Sequence, residues 1–465
     1  MKSNTPFTAL GNDFADAVEP ANFPELVLRY RNNRVLNNSI LHRLSTESWL
    51  NHFGRFAPLP ENQPKPLAIR YHGHQFRSYN PQIGDGRGFL YAQLHDEHDQ
   101  LYDLGTKGSG QTPYSRSGDG RLTLKGGVRE VLATEMLEAS HVPTSKTLSL
   151  IETGEELYRN DEPSPARSSV LVRVQRTHVR FGIFQRLAFY KDAANMETLL
   201  DYCRTHFFAE IDPAPAAELA PLLLTEITKR TANMVASWMA AGFVHGVMNT
   251  DNMVVTGETF DFGPYRFLPV SDPKFTAAYF DEWGLYAFGR QPQAAIWNLQ
   301  QLAGALTLVA EAEDLSESLG AFELAYQTAL RDHTFFQLGL LPEHLETDLN
   351  FLTELFGWMT ESQVPWHQFF FDWFCGEMSE TRAGNSPSAG LYTREDFGTV
   401  REYLRHYKAD RPERLAHPYF QRPSPETLLI DEIETLWSAI ADDDDWSLFE
   451  AKLAGIAEKR KALLG

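Results

Sequence analysis

"HGVMNTDNMVVTGETFDFGPY", residues 245–265, is the stretch on which the reading of the chain turns. Inside it, "MVVTGETF" separates Asn252 from Asp261, and the β-branched and aromatic residues on either side of Thr256-Gly257 predict a hairpin with those two residues at its tip. Pairing outward from that turn sets Asn252 opposite Asp261 at the open end, roughly 5 Å apart. An amide and a carboxylate at such a separation can share a Mg²⁺, a hard cation that takes oxygen ligands and keeps water or phosphate in its other positions. The plainer alternative is a turn capped by Asn252 and followed by an incidental Asp-Phe-Gly.

The chain around this stretch carries 42 Lys and Arg against 62 Asp and Glu, a formal charge of 42 − 62 = −20 over 465 residues. That field repels a nucleic-acid backbone or an anionic membrane, so neither is expected as a partner. A hydrophobic content of 43% beside 22% charged residues is enough for a packed core. Cys203 and Cys375 are the only cysteines, which excludes a disulfide framework and a CxxC metal site and reads as two small buried hydrophobes. No apolar run reaches the ~18 residues of a membrane span, and the opening residues lack the order of a signal peptide, so a cytoplasmic location is expected.

Residues before about 190 read as mixed α/β. "GFLYAQLHDEHDQLYDLGTKG" holds two alternating runs around a polar turn, "SSVLVRVQR" alternates in the same way, and "GGVREVLATEMLEAS" between them has helical spacing from Gly126-Gly127. The order expected is strand, strand, helix, strand. After residue 190 amphipathic stretches such as "METLLDYCRTHFF", "APLLLTEITKRTANMVASWMAAGF" and "HLETDLNFLTELFGWM" follow one another, so residues 191–465 read as helical. "DDDDW" at 442–446 reads as a solvated helix N-terminus.

The opening stretch resembles the catalytic region of a protein kinase, His-Arg-Asp followed after four residues by Asn and later by Asp-Phe-Gly, except that Val247 stands where the catalytic aspartate belongs. Such a site needs a strand lysine for phosphate and a helix glutamate to hold it; Lys107 and Glu130 have those places. "IGDGRGFL" brings Gly84, Gly86 and Gly88 before a strand, with the third glycine one place earlier than a kinase loop has it and Asp85 a poor neighbour for a triphosphate. "SGDGR" at 117–121 is a second glycine turn. Arg173 and Arg180 in "VLVRVQRTHVR" add guanidiniums that could grip phosphate with two hydrogen bonds each. His72 and His74 have no further ligand near them in sequence, which favours a structural or substrate-facing role over metal binding.

With these pieces in order, the chain is similar to the selenoprotein O (SelO/YdiU) family of kinase-fold proteins, through "GHQFRSYNPQIGDGRG", "KGSGQTPYSRSGDGR", "VLVRVQRTHVRFG" and "HGVMNTDNM…FDFGPY". The resemblance implies transfer of AMP from ATP to hydroxyl side chains of proteins, with the nucleotide reversed relative to a kinase. It implies ATP contacts from Gly84, Gly86, Arg87, Lys107, Asp119, Gly120, Arg173, Arg180 and Asp261, with Glu130 positioning Lys107. It makes Asp251 the general base and Asn252 with Asp261 the ligands of Mg²⁺ or Mn²⁺. Some members carry a cysteine or selenocysteine close to the C-terminus, whereas Cys375 lies ninety residues before Gly465.

The expectation is therefore an α+β, bilobal kinase-like fold with an N-lobe over residues 1–190 and a helical C-lobe over 191–465. The expected activity is protein adenylyltransfer, with UMP transfer from UTP and manganese as a variant. A phosphoryl-transferring kinase and an inactive nucleotide-binding pseudokinase scaffold are the rivals.

Overall fold

The computed structural model describes residues 5–35, 40–160 and 162–465. The first half supplies a sheet. Short strands β1 (Ala15–Ala17), β2 (Val27–Arg31) and β3 (Leu67–Ile69) precede a small hairpin of β4 (Gly73–Gln75) and β5 (Ser78–Asn80). Then come β6 (Leu90–His95), β7 (Leu101–Lys107), the two-residue β8 (Leu122–Thr123), β9 (Lys146–Leu157) and β10 (Ala166–Gln175). The main sheet runs β1-β3-β6-β7-β10-β9-β2, with β8 beside β10.

Local chemistry accounts for the pieces that position the site. β6 and β7 form the expected antiparallel hairpin, its turn fastened by Asp96, whose Oδ1 accepts from His98 N and Gln100 N at 2.9 Å each. Helix α1 (Thr46–Phe53) covers one face of the sheet, packing Trp49 and Phe53 into a cluster with Tyr91, Leu104 and Val172. Helix α2 (Leu124–Ala139) covers the other, starting two residues before the glycines because Thr123 caps it by accepting from Gly126 N at 3.2 Å. Val128, Val131 and Leu132 of α2 are fully buried with Leu150 and Leu171 of the sheet, each burial stabilising by ~1.5–3 kcal/mol.

The second half is helical: α3 (Phe181–Tyr190), α4 (Ala193–Phe207), α5 (Ala216–Ala241), α6 (Gln291–Leu306), α7 (Ala312–Leu319), α8 (Ala321–Leu338) and α9 (Leu345–Ser362), followed by shorter turns and the helices Ile430–Asp443 and Ser447–Leu464. None of the helices among the described residues is long and apolar enough to cross a membrane. The core that lies under α2 continues into Leu224 and Val235 of α5 without a break.

Three expectations are corrected. A long strand, β9, lies between α2 and β10 and was not anticipated; it pairs with β10 over most of its length. A tight turn does form, but one residue earlier than expected, over Val254–Gly257 with Gly257 N donating to Val254 O at 3.1 Å, and it is not a hairpin, because its edges bond elsewhere: Val254 bridges Arg180 and Thr259 bridges Thr144. The acidic run lies between two helices, ending the first and leading into the second, instead of only starting one. Asp444 caps Ile430–Asp443 in a left-handed conformation and its carboxylate is 2.7 Å from Arg167 and 3.3 Å from Arg29, while Asp445, just before the next helix, accepts from the N–H of its first residue, Ser447, at 2.9 Å. Arginines on β2 and β10 thus offset the unfavourable position of acidic groups at a helix C-terminus.

The glycine loop after β5 lies hard against β7: a Cβ on Gly88 would stand 2.0 Å from Thr106 O. Gly88→Ala is expected to lower unfolding free energy by ~1–3 kcal/mol, since backbone and not a flexible side chain must move, and urea denaturation of the two proteins measures it.

Candidate active site

Four segments converge on one cleft of about 740 Å³: the glycine loop 83–88, the end of β7, the 114–121 loop, and the turn carrying Asp251 and Asp261. Lys107, the last residue of β7, is 4% exposed and its ammonium is shared by two carboxylates. It bonds Glu130 Oε1 from the middle of α2 and lies 2.6 Å from Asp261 Oδ1. Burial pushes the Asp261 carboxyl up, but Lys107, Arg173 and Arg180 outweigh it and hold the group well below the usual carboxylate range.

The two arginines come from adjacent stretches and meet the same carboxylate. Arg173, on β10, lies 3.8 Å from Asp261 Oδ1, and Arg180, which precedes α3, lies 3.7 Å from Oδ2. Phe260 supports both guanidiniums at 5.0 and 4.9 Å, and Tyr71 supports Arg180 at 4.7 Å. Arg180 is tied down by hydrogen bonds to Asp251 O (2.9 Å) and Asp85 Oδ1 (3.2 Å). Arg173 is different. It is 4% exposed, yet its Nε and Nη1 have no hydrogen-bond partner.

Asp85, expected to oppose a triphosphate, is occupied: besides Arg180, its Oδ2 accepts from Ile69 N at 3.1 Å. It acts as a buried anchor for Arg180, a role that sequence could not reveal because the partner is 95 residues away. Gln75, Tyr71 and Tyr114 also line the cleft and were not singled out from sequence. Gly84, Gly86, Arg87, Asp119 and Gly120 all line it as well, with Asp119 paired to Arg159 at 2.7 Å. A Cβ on Gly84 would strike the Tyr114 ring at 2.4 Å, so that glycine is required by close packing of the two loops.

Asp251 sits in the turn Thr250–Asn252 and lines the cleft. Thr250 fixes this turn by accepting from His74 N and donating to Gln185 Oε1, both at 2.7 Å. Asn249 adds bonds from Phe76 N at 3.0 Å and from the Tyr286 hydroxyl at 2.9 Å. Burial pushes the Asp251 carboxyl up to about 6, against the opposing pull of Arg180, and its Oδ1 has no hydrogen-bond partner. His245 is a buried brace, its Nε2 donating to Phe260 O at 3.0 Å. His74 and His72 bond Gln185 and Tyr79, each at 2.8 Å, in keeping with a structural role.

Asn252 does not line the cleft; its Nδ2 donates to Val247 O at 3.0 Å, which leaves Oδ1 as the accepting end. Among the described residues no three His, Cys, Asp or Glu are grouped to hold a metal by themselves. The carboxylates of Asp251 and Asp261 line the cleft and Asn252 is next to Asp251 in the chain; their oxygens are of the type that a hard divalent cation takes when it shares its shell with phosphate and water. The two cysteines, 0% and 2% exposed, are free thiols away from the cleft, and burial pushes Cys375 up to about 11.

The sequence model of the family described as protein adenylyltransferase SelO matches residues 1–457. The chain belongs to this family. It is 44% identical over 456 residues to the protein nucleotidyltransferase YdiU of Trichodesmium erythraeum, with 95% of each chain covered. The YdiU proteins of Synechocystis sp. and Gloeobacter violaceus are 42% and 43% identical, over 95% of this chain and 94% and 92% of theirs. Membership makes the chain an enzyme of the nucleotidyltransferase class.

Glu130→Ala would leave Lys107 buried with Asp261 as its single carboxylate. Removing one member of such a buried pair is expected to cost ~3–5 kcal/mol, read from the urea midpoint, with Glu130→Gln costing less because a polar acceptor remains.

Proposed function

We propose that this enzyme transfers AMP from ATP to the hydroxyl of Ser, Thr or Tyr side chains in proteins, using Mg²⁺ or Mn²⁺. The architecture it uses is kinase-like and two-lobed, with residues 1–190 as the N-lobe and 191–465 as the C-lobe. The observation that carries the reading is Arg173: a buried guanidinium whose Nε and Nη1 make no hydrogen bond, Nη1 having only the 3.8 Å ion pair with Asp261, in the wall of a cleft that already contains Lys107 and Arg180. Donors left unmade in a low-dielectric site are costly, and an anion with several oxygens is the ligand that offsets that cost.

With the outer phosphates gripped by Lys107, Arg173 and Arg180 deep in the cleft, the α-phosphorus is left toward its mouth. The backbone at Gly84 and Gly86, the side chain of Arg87, and Asp119 with Gly120 complete the nucleotide site. A divalent cation held by Asn252 and Asp261, when bound, supplies positive charge against the charge that develops on pyrophosphate. Asp251 takes the proton of the acceptor hydroxyl. Its carboxyl, pushed up to about 6, is basic enough to accept that proton and still ionised near neutrality. The acceptor oxygen forms a bond to the α-phosphorus, the bond from that phosphorus to the bridging oxygen breaks, and pyrophosphate leaves with the electron pair. Val247 occupies the usual place of a kinase base, and Asp251 stands in for it four residues on.

Parallel incubations with α-³²P and γ-³²P ATP test the reading. Label from the α position is expected on protein and label from the γ position in released pyrophosphate; γ label retained on protein would identify a kinase and end the proposal. Asp251→Ala should slow α-label transfer by ~10²–10⁴-fold while ATP still binds, and Asp261→Ala should abolish transfer.

A further inference from the structure

Beside the cleft, large apolar rings gather on the surface where a folded core has no use for them. Trp283 is 88% exposed, Tyr279 82%, Phe280 48% and Phe76 37%. Phe76, Phe280 and Tyr279 are grouped, and Trp283 follows three residues after Phe280, which separates them from the scattered exposed residues of any protein surface. Phe76 packs on Phe280 with centroids 5.8 Å apart and on Tyr286 at 5.0 Å, and Phe280 continues to Tyr279 at 5.1 Å.

A second, independent observation lies in the backbone. β4 and β5 pair with Gln75 opposite Ser78, so Phe76 and Arg77 are the whole of a two-residue loop. Both have positive φ, 49° and 63°, in a turn whose central places suit Asn and Gly and resist an aromatic residue. Strain of this kind persists where surrounding bonds impose it, and the bonds here are with the active site. Phe76 N and the Tyr286 hydroxyl both donate to Asn249, two residues before Asp251, and Gln75 lines the nucleotide cleft. The aromatic patch is therefore tied, through Gln75 and Asn249, to the turn that carries Asp251.

We propose that Phe76, Tyr279, Phe280 and Trp283 form the docking platform for the acceptor protein, and that the segment bound there carries Lys or Arg beside the hydroxyl to be modified. This rests on the acceptor being a protein hydroxyl, as proposed above. The charge preference follows from the ring faces, which attract cations, and from the two carboxylates, Asp281 and Glu282, in the same segment as the rings. The neighbouring arginines are held in place rather than pointed at a ligand: Arg77 lies over the Trp297 ring at 5.5 Å, and Arg290 Nη1 donates to Trp283 O at 2.9 Å. Asp281 is spent on the backbone N–H groups of Leu285 and Tyr286, at 2.8 Å each, which shapes the turn that displays Trp283. Glu282 beside it is exposed and available to a basic segment.

Binding can be measured apart from chemistry. The probe is a fluorescein-labelled dodecapeptide with a central serine flanked by arginines, its control has glutamates in their place, and anisotropy is followed against wild type and the double variant Phe280→Ala/Trp283→Ala. The wild type is expected to bind the basic peptide about tenfold more tightly than the acidic one, and the double variant to lose about tenfold for the basic peptide, as removal of aromatic anchors does. Both proteins should keep the same melting temperature and the same affinity for ATP, since neither residue supports the core. Equal binding of the basic peptide by the two proteins, or preference for the acidic one, overturns the platform. So does a change of sedimentation mass in the double variant with peptide affinity intact, which would make the patch a contact between copies. Peptide binding without any transfer of α label would instead sink the proposed activity and leave the platform standing.

Discussion

One ammonium group, that of Lys107, stands at the junction of everything else in this protein. It ends a central strand, accepts the support of a glutamate from the helix laid across the sheet, and reaches an aspartate from the turn that follows the long helix α5. Three separate pieces of chain are thereby fixed to a point that water scarcely reaches. A buried cation in such a place is stable only while its counter-charges stay put, so their geometry is imposed and not merely permitted. The same condition explains why Asp261 remains ionised despite its burial.

Globally the molecule is acidic, yet the cleft gathers Lys107, Arg87, Arg173 and Arg180. Local charge of that sign in low dielectric outweighs a distant, screened field of the opposite sign. Asp85 and Asp261 keep the cluster from flying apart, and the faces of Phe260 and Tyr71 give the guanidiniums a dry seat that lysines would fill poorly. Of the three buried cations, Arg173 is the one with two nitrogens that make no hydrogen bond, which is why it speaks to a ligand while Arg180 speaks to architecture.

Much of this was legible in the residues. Alternation marked β6, β7 and β10, and 3.6-residue spacing marked α2 and the long helices of the second half. Lys107 and Glu130 could be matched because strand and helix were both recognisable and adjacent in the chain. What escaped depended on partners distant in sequence. A turn near Thr256-Gly257 was visible, but nothing local says that its arms join Arg180 and Thr144 instead of each other. Asp85 looked misplaced until Arg180 was found beside it. That the run at 442–445 also ends a helix was hidden because the arginines that pair with Asp444 lie on β2 and β10, hundreds of residues earlier.

The burial of both cysteines has a practical side. Cys203 and Cys375 are the whole thiol content of the chain, and each is shut away from solvent with its proton firmly held. An alkylating dye therefore finds nothing to react with on the native surface. A single cysteine introduced at the rim of the cleft would take up one fluorophore at one address, so the arrival of a ligand there would be read in solution without first stripping the protein of its own sulfur.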